Sequence, residues 1–182
     1  MNRAMSRTVA LAVAVLLCGA ALAAPAQQAV DIEQRVKSAY LFNFAKFVTW
    51  PEHKFAAPDS PLDVCLRAGE PLAPALEETL AGKTIESHPV QVQRPQDADG
   101  WARCHIAYLG DEPLEQTVVT LRMLAGRGVL TVHEAEHALA GGVVRLYLED
   151  RKLRFEINAA AARREDLQLS SKLMSLATVV EK

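Results

Sequence analysis

The string His133-Glu134-Ala135-Glu136-His137 has the residue types and spacing of a zinc-hydrolase motif. Two imidazoles four positions apart share one helix face and can ligate a metal, while the adjacent glutamate serves as general base. That chemistry needs a long helix and a third ligand. Here His133 directly follows the apolar run 129–132, and Gly141-Gly142 cut any helix off after two turns. A solvated turn, with a short helical piece over 133–140, is the better reading. Metalloprotease chemistry and adventitious metal binding are the alternatives. Ser170-Ser171-Lys172 offers a Ser–Lys pair, but a serine ahead of a helix is more simply a cap. Glu77-Glu78 and Glu165-Asp166 are sequence neighbours, which suits solvated faces better than paired acids. No G-x-S-x-G, P-loop or G-x-G-x-x-G string occurs, so no nucleophile elbow or nucleotide cradle is encoded. The expectation is a domain without a catalytic centre, cofactor or metal.

The first 24 residues carry a different signal. Arg3 and Arg7 precede an apolar run over 9–17, and small residues lead to Ala24-Pro25. This is the pattern of a secretory leader cleaved near Ala23/Ala24; a retained N-terminal anchor is the alternative. Cys18 is not expected to be lipidated, because Leu17 stands where a lipobox needs a small residue. Losing Arg3 and Arg7 takes the formal charge from –2 to –4, with 18 basic against 22 acidic residues. No basic excess remains to hold a nucleic acid. The exported chain keeps Cys65 and Cys104. An even count in an oxidising compartment reads as a disulfide, with two buried thiols as the alternative.

The remaining 31–182 stretch is the size of one domain. Val144, Leu146 and Leu148 alternate with Arg145, Tyr147 and Glu149, and Leu153, Phe155 and Ile157 with Arg154 and Glu156. Period two predicts two half-buried strands, joined through the polar Asp150-Arg151-Lys152 as a hairpin. Asn158 ahead of four alanines predicts a capped helix. Ser170 or Ser171 predicts the cap of a last helix carrying Leu173, Leu176, Ala177 and Val180. Residues 25–30 read as a mobile leader. From 31 to 50 an aromatic stripe of Val36, Tyr40, Phe44, Phe47 and Val48 predicts a helix, stopped by Pro51. Arg35, Lys37, Asn43 and Lys46 are left for its surface or a pocket edge, and Trp50 is expected half exposed. Strands at 62–68, 84–93, 104–109 and 129–132 alternate with helices at 72–81 and 115–124. That order predicts an α/β fold: a mostly parallel central sheet flanked by helices, with a C-terminal β-hairpin and terminal helix.

With these pieces in order, the chain resembles the YfiR family. The resemblance rests on Val36-Lys-Ser-Ala-Tyr-Leu-Phe-Asn-Phe-Ala-Lys-Phe-Val-Thr-Trp-Pro51, Val129-Leu-Thr-Val132, Gly141-Gly142, Arg154-Phe-Glu-Ile-Asn158 and Leu169-Ser-Ser-Lys-Leu173. Cys65 and Cys104 fall where that family places a disulfide. Asp166 stands where relatives often have glycine, a mild departure because aspartate tolerates a left-handed turn. The resemblance implies a periplasmic, non-catalytic repressor of an inner-membrane diguanylate cyclase, bound through the cyclase's periplasmic sensor part. It also implies an OmpA-like outer-membrane lipoprotein as competing partner, and a homodimer. The C-terminal block is similar to the tail of ABC-type substrate-binding components, which makes small-molecule binding the second expectation.

Seven residues are candidates for partner or ligand contact: Lys46, Trp50, Arg154, Glu156, Asn158, Arg164 and Lys172. All lie on the C-terminal block or at the end of the first helix. Each has a plainer structural role available, as outer-face strand residue or cap. The ligand-binding alternative expects a concave pocket near Trp50 and Lys46.

Overall fold

A computed structural model describes residues 24–137 and 141–181. The stretch 1–24, expected to be a secretory leader, therefore lies outside the described residues except for Ala24. The chain divides between Glu33 and Gln34 into two compact units. The described part of the first is helical; the second carries the strands.

Helix α1 spans Ala24–Phe47. It takes in residues 25–30, expected as a mobile leader, because Ala and Gln are good helix formers. The strands that follow are β1 (Val48–Thr49), β2 (Leu62–Cys65), β3 (Thr84–Ile85), β4 (His88–Gln93), β5 (Ile106–Gly110), β6 (Leu130–His133), β7 (Val144–Glu149), β8 (Lys152–Asn158), β9 (Gln168–Leu169) and β10 (Thr178–Val180). Between them lie α2 (Ala73–Leu80), α3 (Ala98–Arg103), α4 (Leu114–Leu124), α5 (Ala159–Arg164) and α6 (Ser171–Met174). Eight strands form one sheet in the order β10-β8-β7-β6-β5-β2-β4-β3, and β1 pairs with β9 as a separate ribbon. Neighbours from β4 through β7 run parallel; the β3–β4 and β7–β8 pairs are antiparallel. The mixed α/β sheet with a parallel centre is the architecture the alternating pattern predicts.

Every residue of β5 is buried. Its side chains alternate between two cores: Ile106 and Tyr108 join the large cluster with α1, while Ala107 and Leu109 join a smaller one with Trp101, Leu121 and Leu124. In α1 the fully buried positions are Ser38, Leu41 and Phe44, followed by Ala45. The buried face is thus rotated from the predicted stripe, and Val36 is left exposed. Phe44 meets Phe155 of β8 edge-on at 5.3 Å, and Tyr40 meets the same ring at 5.4 Å. Such contacts add to plain burial because the ring edge is positive and its face negative.

The hairpin is tighter than expected. Glu149 pairs with Lys152, so the turn is only Asp150-Arg151. Both residues have positive φ, +50° and +60°, the backbone of a type I′ turn that matches strand twist. Asn158 caps α5 by accepting from Ala161 N at 3.0 Å, and Ser170 caps α6 by accepting from Leu173 N at 3.2 Å. The last helix is shorter than the periodicity predicts. It ends at Met174, and Thr178-Val179-Val180 instead form β10 alongside β8. β-branched residues favour the extended state, and here they gain a ladder. Leu176, expected on the buried helix face, is exposed.

Cys65 and Cys104 form a disulfide, with Cα atoms 5.9 Å apart. It ties the end of β2 to the residue entering the β5 segment, at the edge of the smaller core. Closing a loop with a sequence separation of 39 stabilises by about 4 kcal/mol in the chain-entropy model. Reduction, or the double variant Cys65→Ala/Cys104→Ala, is expected to lower the urea midpoint accordingly. An unchanged midpoint would show that the cross-link adds nothing to the noncovalent core.

Candidate functional site

Open α/β sheets bind ligands beyond the carboxyl ends of the strands, where successive connections leave in opposite directions. In this sheet that point lies between β2 and β5. From β2 the chain crosses to β4 on one side; from β5 it crosses to β6 on the other. The crevice is lined by the protein's own charges, and a cavity of about 430 Å³ opens beside Glu112 and Glu134. Tyr108, on β5, donates its hydroxyl to Glu134, and Lys37 of α1 donates to the other oxygen of that carboxylate at 2.7 Å. Glu70, in the connection after β2, lies over Gly110, where a Cβ would come within 3.2 Å of its carboxylate. Beside them Arg67 and Glu112 form an ion pair, including a 2.8 Å bond. The Arg67 guanidinium lies 6.0 Å from the Trp101 ring centroid.

Burial pushes the Tyr108 hydroxyl well above its ordinary range, and the adjacent Glu134 charge adds to this. The phenol is therefore the donor. Burial likewise raises Glu70, against a lowering hydrogen bond from the Leu72 backbone. Lys37, expected on the surface or at a pocket edge, is buried, with its ammonium at the edge of the crevice. Its stem follows the rotated face of α1, and its ammonium finds the carboxylate that such burial requires.

The zinc-like string comes apart at this same place. His133 is the last residue of β6, Glu134 points into the crevice, and His137 is exposed in the following loop. Residues 134–137 are not helical, and 138–140 lie outside the described residues. The two imidazoles therefore do not share a helix face. The strand claims His133 because a parallel ladder with β5 and β7 pairs its backbone. Its ring lies against Gly142, where a Cβ would approach Nε2 to 2.7 Å, so only glycine fits. Burial, then Arg145, lower its pKa to about 4.

Of the seven contact candidates, three turn inward. Trp50 is 6 % exposed, and its indole N–H donates to His105 O at 3.0 Å. Glu156 is buried against Arg145, 3.2 Å away. An antiparallel pair opposite Arg145 supplies the cation, so an outer-face strand position becomes an internal one. Asn158 is buried as the cap of α5. These three are largely buried, although Trp50 also lines a cleft. Lys46, Arg154, Arg164 and Lys172 are exposed.

A second cluster escaped sequence reasoning. Phe55 stacks on His88 at 3.8 Å and lies 4.4 Å from His105. His105 Nδ1 accepts from Asp63 N at 3.1 Å. Burial, then Lys54 and His88, pull His105 down to about 3. No sequence spacing links these residues, because the sheet alone joins β2, β4 and β5. A cleft of about 290 Å³ runs along this stack, lined by Lys46, Trp50, Phe55, Ile85, Glu86 and His88 among others. It is the concave pocket near Trp50 and Lys46 that the ligand-binding alternative expects.

With this geometry in place, comparison with known families matches the chain to the YfiR/HmsC-like family over residues 34–178. The chain belongs to the YfiR/HmsC-like family. No curated protein matches it. The residues that carried the resemblance now have physical roles in a YfiR/HmsC-like domain. Phe44 seats α1 on the sheet, Gly142 makes room for His133, and Asn158 caps α5. Asp166 has φ +54°, the left-handed turn in which glycine is common.

Two outcomes follow for this domain. Lys37→Met removes the cation from a buried carboxylate and is expected to cost about 3 kcal/mol, with Glu134→Gln less damaging; equal small losses in denaturation would deny the pair its role. Both buried histidines have folded pKa values below the unfolded 6.5, so the unfolded state binds more protons. Stability is therefore fully present above pH 6.5 and falls as the pH drops toward 4 for His133 and 3 for His105, by up to about 1.4 kcal/mol per pH unit each. A His133→Asn variant should show a flatter decline in Tm between pH 6.5 and 4 than the parent; parallel curves would exclude His133 as a source.

Proposed function

We propose that this protein is a periplasmic, non-catalytic regulator. It binds the periplasmic part of an inner-membrane diguanylate cyclase and represses cyclic-di-GMP synthesis, with an OmpA-like outer-membrane lipoprotein as competitor for the same protein. The observation that carries this reading is the family match across nearly the whole domain. At the switch point Lys37, Glu134 and Tyr108, and beside them Arg67 and Glu112, are paired with one another, and the reading places the partner contact on the outer surface. A homodimer fits the same reading. Arg154 and Arg164 are exposed on the C-terminal block and suit docking; Arg154 makes only a solvent-exposed pair with Glu149 at 3.6 Å. Such a rim pair contributes little to stability. The double reversal Arg154→Glu/Arg164→Glu should weaken capture of the cyclase's periplasmic part by at least about fivefold, with Tm unchanged. Undiminished capture would remove this block from the interface.

The second reading is ligand capture in the cleft beside Trp50 and His88. It is favoured by a built aromatic wall with a lysine at its edge. It predicts a ligand-dependent rise in Tm that is lost in Phe55→Ala.

A further inference from the structure

The end of α1 and the segment after β9 meet at one surface patch that carries two lysines. Ser170 N donates to Phe47 O at 2.9 Å, and Val48 pairs with Leu169. Over this junction two ammonium groups converge on one ring: Lys46 lies 5.7 Å and Lys172 5.1 Å from the Phe47 centroid. Lys46 also reaches Phe42 at 5.6 Å. The phenyl rings of Phe42 and Phe47 are partly buried against the large core.

Elsewhere some surface cations are neutralised locally, while others, Arg151, Lys152 and Arg164 among them, make no ion pair among the described residues. Arg35 pairs with Glu78, Arg94 with Glu77, Arg154 with Glu149 and Arg163 with Glu181. Among the described residues Lys46 and Lys172 make no ion pair. Residues 34–49 and 167–180 contain no aspartate or glutamate at all, in a chain whose formal charge is negative. Glu52 and Glu86 line the cleft beyond Lys46 without pairing to it. Two like charges held over one ring repel each other, and a carboxylate placed between or beside them would relieve that repulsion. The rings fix the lysine stems in advance, so a partner meets cations that have already given up part of their rotamer freedom.

We infer that the Phe42–Lys46–Phe47–Lys172 patch seats an acidic, apolar-anchored segment of the regulator's protein partner. The inference rests on the regulatory reading and adds the chemistry of what docks and where. A membrane surface is the poorer occupant. Two lysines give too little attraction for an anionic bilayer, and half-buried rings do not project to insert.

The test uses the full exported chain in its own cell envelope, with a benzophenone-bearing phenylalanine analogue in place of Phe42 and, separately, in place of Arg154. The expected result at Phe42 is a photo-cross-link to a protein segment rich in Asp and Glu, identified by mass spectrometry. Its yield should fall about tenfold in Lys46→Glu/Lys172→Glu and persist in Lys46→Arg/Lys172→Arg. Cross-linking to lipid, to a neutral or basic segment, or at a yield indifferent to charge reversal would overturn the inference. So would silence at Phe42 while the Arg154 position captures the cyclase, an outcome that leaves the regulatory reading standing. Silence at both positions would defeat the regulatory reading and this inference together.

Discussion

Strand β5 cannot meet water on either face. Its five residues are all buried, so both sides of the sheet must be covered, and its backbone must be paired by strands on both edges. β2 and β6 supply the pairing. α1 and α2 cover one side, and α3 and α4 the other. At the strand's carboxyl end this constraint produces the polar crevice. Tyr108 must place its hydroxyl somewhere, and an unpaired polar group there would be costly. Glu134 answers that need and in turn requires Lys37. One strand buried on both faces thus leads to a charged cluster at the usual ligand position of such sheets.

Much of the fold can be read from local pattern. The hairpin is legible because Leu146 and Phe155 alternate against polar neighbours and a polar turn intervenes. Asn158 and Ser170 are legible as caps because a short oxygen-bearing side chain ahead of a helical run has few other uses. The apolar run after Cys104 reads as a fully covered strand. These features depend on residues close in sequence, where propensity and period speak directly.

What the sequence hides depends on partners far along the chain. Lys37 and Glu134 are separated by 97 positions, and nothing at either position announces the other. Glu156 looks like an outward residue until Arg145 is placed across the ladder from it. Trp50 looks like a half-exposed helix end until the His105 carbonyl is found at its indole nitrogen. A helical stripe can be found with its centre displaced, because α1 is turned by what packs on it rather than by its own apolar count. The extended C-terminal segment shows the same effect: Val180 fits a helical period, yet the open edge of β8 offers it a ladder. Each change removes a candidate from the surface or moves one onto it, so the contact set is less legible than the fold.

The cross-link between Cys65 and Cys104 also has a mechanical consequence. It joins two points separated by 39 residues, and α2, β3, β4 and α3 all lie within the loop. If the domain is pulled from its two ends, whether by a tethered partner or by an unfolding motor, force passes through the sulfur bridge and bypasses that loop. About 140 Å of contour is withheld from extension until the bridge is reduced. Of the parallel strands, β4 is therefore shielded from tension, while β2, β5, β6 and β7 lie on the path of the force.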